Sequence, residues 1–288
     1  MACIELKNVS YQYPLSKEKA LDDVNYKFEK GRFYGIIGEN GGGKTTLCNL
    51  IRGLIPQFYK GKLTGTVKIL GKELREWDPA ELSSKIGYVF QNPFTQISGI
   101  KETVFEEIAM GMENMGVTKE QIIDQVVTIC QLLKIEDLIE KNPNELSGGQ
   151  RQRVAFASII AMNTDILVID EPTSQLDPQG TQDIFEIIRM LKKEGKTIFL
   201  VEHKINLIAE YCDEVVVMEG GKIVFGGTAR GILSNRDLEN HGAMIPEAAV
   251  LGHQLKEQGI ELDSIPIITE EAVRLIKQRI GEEYGNRI

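Results

Sequence analysis

Three groups of residues have the types and spacing that phosphate chemistry needs. The first is Gly38-Glu39-Asn40-Gly41-Gly42-Gly43-Lys44-Thr45, which fits GxxxxGK[ST]. Its glycines let successive backbone N–H groups converge on phosphate oxygens with no Cβ in the way. Lys44 offers a cation to the β- and γ-phosphates, and the Thr45 hydroxyl offers a ligand to Mg²⁺. The second is Asp170-Glu171, directly after the apolar run Ile166–Ile169. A carboxylate at the mouth of a buried strand can reach a metal, usually through water. Its neighbour can polarise a water for in-line attack on a γ-phosphate. The third is Leu146-Ser147-Gly148-Gly149-Gln150, ahead of a helical pattern. Ser147 can cap that helix, and the two glycines expose N–H groups at its positive end. One nucleotide needs one phosphate loop, so a second phosphate clamp makes sense facing a nucleotide held by another chain. An ordinary capped helix would not explain two glycines followed by Gln.

Elements must hold these groups in place. Ile4, Leu6 and Val9, then Val24, Tyr26 and Phe28, alternate as in strands with one buried face. Phe33–Ile37 forms a third strand, approached through Gly31 and ending at Gly38, and a helix from Lys44 to about Arg52 follows the glycines. Strands are expected at Thr66–Leu70 and Ile86–Phe90. From about 101 to 162 the pattern is helical, with Ile122, Val126, Ile129, Leu132 and Leu133 at three- and four-residue spacings; the helix after the third group runs from about Arg151 to Met162. Ile166–Ile169 reads as a central parallel strand buried on both faces. A helix over 178–193 and a strand over 197–201 follow, then strands 214–218 and 222–225 joined at Gly220-Gly221 as a hairpin. Beyond about 228 two helices are expected. One opens at Pro246 with Leu251 and Leu255 on one face; the other spans 269–282 with Val273, Ile276 and Ile280 on one face.

The 288 residues carry 33 basic and 42 acidic side chains, a net charge of −9. That balance argues against a generally basic surface for nucleic acid or anionic lipid. Hydrophobic residues make up 42% of the chain, the share of a globular protein rather than a disordered one. No apolar run approaches the roughly 20 residues that span a bilayer, and the opening Met1-Ala2-Cys3-Ile4-Glu5 lacks the apolar core of a signal peptide. Cys3, Cys48, Cys130 and Cys212 stand far apart with no CxxC pair, as buried hydrophobes in a reducing compartment do. A cytosolic protein is expected, with any membrane role supplied by a partner.

The string Leu-Ser-Gly-Gly-Gln-Arg-Gln-Arg over 146–153, together with the phosphate loop, resembles the signature of ATP-binding cassette (ABC) ATPases. The resemblance covers essentially the whole chain. It implies an α/β fold, the ABC-type P-loop NTPase, with a mixed sheet core, an antiparallel β subdomain and an inserted helical subdomain, plus a small C-terminal helical domain. The expected boundaries are 1–228 for the nucleotide-binding domain, about 92–162 for the helical subdomain within it, and 229–288 for a C-terminal domain of the dimerisation type.

The resemblance also assigns roles. Tyr13 resembles the aromatic that stacks on adenine, with Tyr11 as the alternative. ATP would be held by Gly38, Asn40, Gly41, Gly43, Lys44, Thr45 and Thr46. On another chain's nucleotide, Ser147, Gly148, Gly149, Gln150 and Asp177 would serve. Mg²⁺ would take Thr45, Gln91 and Asp170. Glu171, His203 and Gln91 would be catalytic: Glu171 as base, His203 as the switch histidine that meets the γ-phosphate, and Gln91 as the Q-loop glutamine that senses the membrane partner. Ser174-Gln175-Leu176-Asp177 resembles the D-loop. Two departures are visible: Gly42 stands where the family commonly has Ser, and Gln175 where it commonly has Ala. Neither removes a group that hydrolysis needs.

Gln91-Asn92-Pro93, Gln96 and Thr103-Val104-Phe105-Glu106-Glu107-Ile108-Ala109 resemble the A component of energy-coupling factor transporters, as do Pro246, Leu251, Leu255, Gly259 and Ile265-Pro266 in the tail. These are importers of vitamins or metal ions. That implies ATP and Mg²⁺ as cofactors and a second ABC ATPase subunit, identical or paralogous. It also implies a transmembrane coupling subunit, a separate substrate-binding membrane subunit, and a peripheral position at the cytoplasmic face of the membrane. No nucleic acid and no direct lipid anchor are expected.

Other readings fit less well. DNA-repair cassettes need a long coiled coil between phosphate loop and signature, and no sustained heptad occurs there. Ribosome-acting cassettes carry two cassettes per chain, and here there is one. Intact Glu171 and His203 argue against a non-hydrolysing regulator. An importer that uses a separate periplasmic binding protein remains the alternative within transporters.

Overall fold

The computed structural model describes residues 1–173 and 176–285. The chain opens with β1 (Ala2–Gln12), β2 (Leu21–Glu29) and β3 (Phe33–Ile37), then α1 (Lys44–Ile51). Next come β4 (Lys62–Ile69), β5 (Lys72–Glu73), α2 (Pro79–Ser83) and β6 (Ile86–Val89). A helical stretch follows: α3 (Pro93–Gln96), α4 (Val104–Asn114), α5 (Lys119–Leu133) and α6 (Gly148–Ala161). Strands and helices then alternate as β7 (Ile166–Asp170), α7 (Pro178–Lys193), β8 (Thr197–Val201), α8 (Ile205–Tyr211), β9 (Glu214–Glu219) and β10 (Lys222–Thr228). The tail holds α9 (Ala229–Leu233), α10 (Glu247–Glu257) and α11 (Thr269–Gly285).

Two sheets form the frame. A four-stranded antiparallel sheet runs β2-β1-β4-β5, and a six-stranded sheet runs β10-β9-β3-β8-β7-β6. In the second, β9, β3, β8, β7 and β6 are mutually parallel and β10 pairs antiparallel with β9. The two-residue turn of that pairing, Gly220-Gly221, has φ of 52° and 78°, the doubly positive backbone that a tight hairpin needs.

The unbroken apolar runs of β3 and β7 follow from burial on both sides. Phe33, Ile37, Leu167 and Ile169 point into one core, shared with α4–α8. Tyr34, Ile36, Ile166 and Val168 point into the other, shared with α1 and the antiparallel sheet. Because successive side chains alternate across a strand, each run fills two cores at once. The helical stretch starts its longer helices with capping boxes: Thr103 with Glu106 for α4, Thr118 with Gln121 for α5, and Ser147 with Gln150 for α6. Among the described residues no helix is long and apolar enough to cross a membrane. All four cysteines are buried free thiols.

The tail departs from expectation in which faces it buries. On α10 the buried residues are Ala248, Ala249 and Gly252, while Leu251 is exposed. On α11 Ala272 and Leu275 are buried, whereas Val273 and Ile280 are exposed. Polar pairing sets this rotation. Glu271 is buried, accepts from Arg230 at 2.6 Å and from the Ile267 N–H at 3.1 Å, and so turns its own side of α11 inward. Ala243, Ile245 and Ile267 stand in the same core as α4–α8.

Candidate functional site

In the six-stranded sheet β3, β8, β7 and β6 lie side by side and parallel. Their C-terminal ends therefore share one edge, the usual ligand edge of an open α/β sheet. The loop after β3 is the glycine-rich loop, His203 follows β8, Asp170 ends β7 with Glu171 next to it, and Gln91 follows β6. Residues far apart in the chain thus become neighbours.

The loop at 38–43 leads into α1, whose N-cap is Gly43 at φ 104°, with no side chain closing the first turn and no acidic residue in it. Backbone donors and the positive end of the helix dipole are left for an anion. The Lys44 ammonium donates to the carbonyls of Gly38 and Glu39, at 2.8 and 2.9 Å, and so braces the loop from below. Burial pulls the Lys44 pKa down, and the carboxylates of Glu171 and Asp170 oppose that. Thr45 is exposed and Thr46 buried. The loop rests on the β9–β10 hairpin, for the Gly221 N–H donates to Gly42 O at 3.0 Å. A Cβ added at Gly42 would lie 2.8 Å from the Met218 carbonyl. The tight seat explains glycine where the family commonly has serine.

Glu171 has φ 46°, a left-handed backbone unusual for a residue with a side chain; its N–H donates to Val201 O at 2.8 Å. From that turn its carboxylate meets two partners. The Gln91 amide donates to Oε2, and His203 Nε2 lies 2.8 Å from Oε1. Strain at one residue here buys convergence of three. Glu202, unremarked in the sequence, holds the switch turn. Its buried carboxylate accepts from the N–H groups of His203 and Lys204, at 2.9 and 3.1 Å, and from the Thr173 hydroxyl at 2.9 Å.

Asp170 is buried at the end of β7, and burial raises its pKa. The Tyr88 hydroxyl donates to its Oδ2 at 2.9 Å. Tyr88 belongs to β6, and the Arg52 guanidinium lies 3.5 Å over its ring. Just beyond, the Gln96 side chain donates to Tyr88 O at 3.0 Å and accepts from the Phe90 N–H at 2.9 Å, bracing the strand end that carries Gln91. Sequence spacing carries no sign of these contacts, because each crosses between elements. Thr45, Gln91 and Asp170 are all oxygen donors, a hydroxyl, an amide and a carboxylate, which is the donor chemistry Mg²⁺ takes.

The two tyrosines separate clearly. Tyr11 is fully buried and donates to Tyr59 O at 2.9 Å. Tyr13 is half-buried, with its hydroxyl 3.3 Å from Thr46 Oγ1 beside the glycine-rich loop. Of the two, only Tyr13 has a ring surface open to a base.

The signature residues sit elsewhere. α6 begins at Gly148, not Arg151, because Ser147 caps it and both glycines enter its first turn. The polar bonds of Ser147 and Gln150 are to each other, at 3.1 and 3.4 Å. Among the described residues they make no bond to the loop at 38–46. Asp177 is the N-cap of α7, accepting from the Gly180 N–H at 2.7 Å. Ser174 and Gln175 of the expected D-loop lie outside the described residues. A cavity of about 250 Å³ joins Gly38, Glu39 and Asn40 to Glu202 and His203, with Gly242–Met244 of the tail on its rim.

Comparison with known proteins agrees with this geometry. Residues 21–174 match the family model described as ABC transporter. A putative ABC transporter ATP-binding protein of Pyrococcus abyssi is 41% identical over 280 residues, 96% of this chain and 99% of that protein. The energy-coupling factor transporter ATP-binding protein EcfA2 of Streptococcus thermophilus is 37% identical, over 95% of this chain and 98% of its own. The structure of cbiO1 from Clostridium perfringens, part of the ABC transporter complex cbiONQ, superposes with a TM-score of 0.71 at 28% identity, covering 90% of this chain and 97% of that one. The chain belongs to the ABC transporter family and is an ATP-binding, ATP-hydrolysing cassette.

Proposed function

We propose that this ATPase powers an importer of the energy-coupling factor type, moving a vitamin or a metal ion. The observation that carries the reading is the Glu171 carboxylate, held between Gln91 and His203 at the ends of three neighbouring strands. In that place Glu171 takes the proton of the water that attacks the γ-phosphate. His203 and Gln91 orient that carboxylate, and His203 meets the phosphate. Lys44 and the open N-terminus of α1 hold the phosphates, and the Tyr13 ring stacks on adenine. Mg²⁺ would sit with Thr45, Asp170 and Gln91 and would neutralise charge on the β- and γ-oxygens.

The capped N-terminus of α6 and Asp177 serve a nucleotide bound to a second ATPase subunit, either a copy or a paralogue. ATP closes the pair and hydrolysis reopens it. That two-state change drives a transmembrane coupling subunit docked near Gln91 and the helical segment 92–162. A further membrane subunit selects the substrate, and the assembly places this chain at the cytoplasmic face. Residues 1–228 form the cassette, and 229–288 help the two subunits pair. The energy-coupling factor relative and the cbiO1 likeness support this reading.

Glu171→Gln tests it. Turnover is expected to fall at least about 100-fold, while ATP now holds the pair closed, visible as a dimer by size-exclusion chromatography. A variant hydrolysing at the wild-type rate would refute the assignment of the base. Purification from native membranes should bring down hydrophobic subunits; recovery with soluble nucleic-acid factors alone would end the transporter reading.

A further inference from the structure

We infer that Tyr88 is a positioning residue for the metal carboxylate: its hydroxyl holds Asp170 so that the other oxygen of that carboxylate faces the phosphate side of the site. The inference rests on the reading of Asp170 as the Mg²⁺ carboxylate. It begins with a buried pair. Tyr88 Oη donates to Asp170 Oδ2 at 2.9 Å, between adjacent strands β6 and β7. A buried carboxylate bonded through one oxygen has its rotation restrained, and the remaining oxygen is directed.

A second contact fixes the phenol itself. Arg52 lies at the C-cap of α1, the helix that starts in the glycine-rich loop, and its guanidinium stacks 3.5 Å over the Tyr88 ring. It also lies 5.1 Å from the Phe90 ring centroid. A cation over the face of a phenol is attracted to the ring, and Arg52 thereby fixes the ring's position. Three elements meet through these two contacts: α1 below the phosphate loop, β6 leading to Gln91, and β7 ending in Asp170. Gln96 adds a brace from the other side through Tyr88 O and the Phe90 N–H. The base, the metal carboxylate and the Q-loop glutamine are thus tied to one strand end.

The test is Tyr88→Phe, which removes the hydroxyl and keeps the ring under Arg52. ATP binding to full-length protein is titrated by calorimetry with Mg²⁺ and again in excess chelator, and Mn²⁺ binding in the presence of ATP is followed by electron paramagnetic resonance. The expected result is about a tenfold loss of affinity for MgATP, the scale of a hydrogen bond to a charged group. Affinity for metal-free ATP should be unchanged, and Mn²⁺ binding should weaken in step. Thermal unfolding of the nucleotide-free protein accompanies each titration, so that a folding defect is seen directly. Equal loss with and without metal, or no loss, would overturn the proposal. Asp170→Asn is run in parallel. If it too leaves the Mg²⁺ dependence unchanged, the metal assignment of Asp170 fails and the role of Tyr88 with it. If it abolishes the dependence while Tyr88→Phe does not alter it, only the role of Tyr88 fails.

Discussion

The N-termini of α1 and α6 use one device to opposite ends. α1 begins behind its N-cap Gly43, and no side chain bonds the N–H groups of its first turn. α6 begins at Gly148 behind Ser147, which shares a reciprocal cap with Gln150, so two donors at its start are already satisfied. A bare helix start gains most from an anion, because the anion supplies what the turn lacks. A capped start gains less and must trade an existing bond. On the proposed assignment the first is the grip of a single chain, and the second is a face kept stable until a partner's nucleotide reaches it.

Three substitutions bear on that contrast. Lys44→Ala should do the most harm, lowering ATP affinity at least about 100-fold in a calorimetric titration. It removes a cation facing the phosphates and both bonds that brace the loop. Affinity within about threefold of wild type would leave the bare helix start without its claimed role. Tyr13→Ala should weaken ATP roughly tenfold, from the loss of base stacking, and leave tripolyphosphate binding unchanged. A parallel loss for tripolyphosphate would mean that Tyr13 acts through Thr46 and the loop rather than through the base. Ser147→Ala should have the smallest effect on one chain: about 1 kcal/mol of stability in denaturant unfolding, with no change in the ATP affinity of the isolated subunit. A fall in that affinity would put both helix starts on the same nucleotide and erase the contrast.

Much of the sheet edge that carries these residues was legible in the sequence. Asp170 ends β7, Glu171 follows it and His203 stands just past β8, because β7 and β8 are short apolar runs that give way to polar residues, while Lys44 opens the helix after the glycine-rich loop; such patterns can be read directly. The helix over 178–193 and the strand over 197–201 fall where the pattern put them. What could not be read was side-chain pairing between elements. Tyr88 looks like one more aromatic in an apolar strand until β6 pairs with β7 and its hydroxyl meets Asp170. Glu202 looks like a charge beside a histidine until its oxygens take three donors. On α11 periodicity picks out Val273, Ile276 and Ile280, yet Arg230, 41 positions away, draws Glu271 inward and with it Ala272 and Leu275. A distant ion pair, which periodicity does not contain, sets the face. The start of α6 moved for a local reason: a capping serine admits glycines to a first turn that intrinsic propensity would deny them.

Ala243, Ile245 and Ile267 share a core with the helices behind the catalytic edge. The tail is therefore an internal wall of the cassette as well as an appendage. Cutting the chain after 228 would remove α9 and strip apolar cover from α8, β9 and β10 rather than release a finished module. With a core shared across the proposed boundary, the segment proposed for subunit pairing and the nucleotide-binding segment are expected to unfold in one transition.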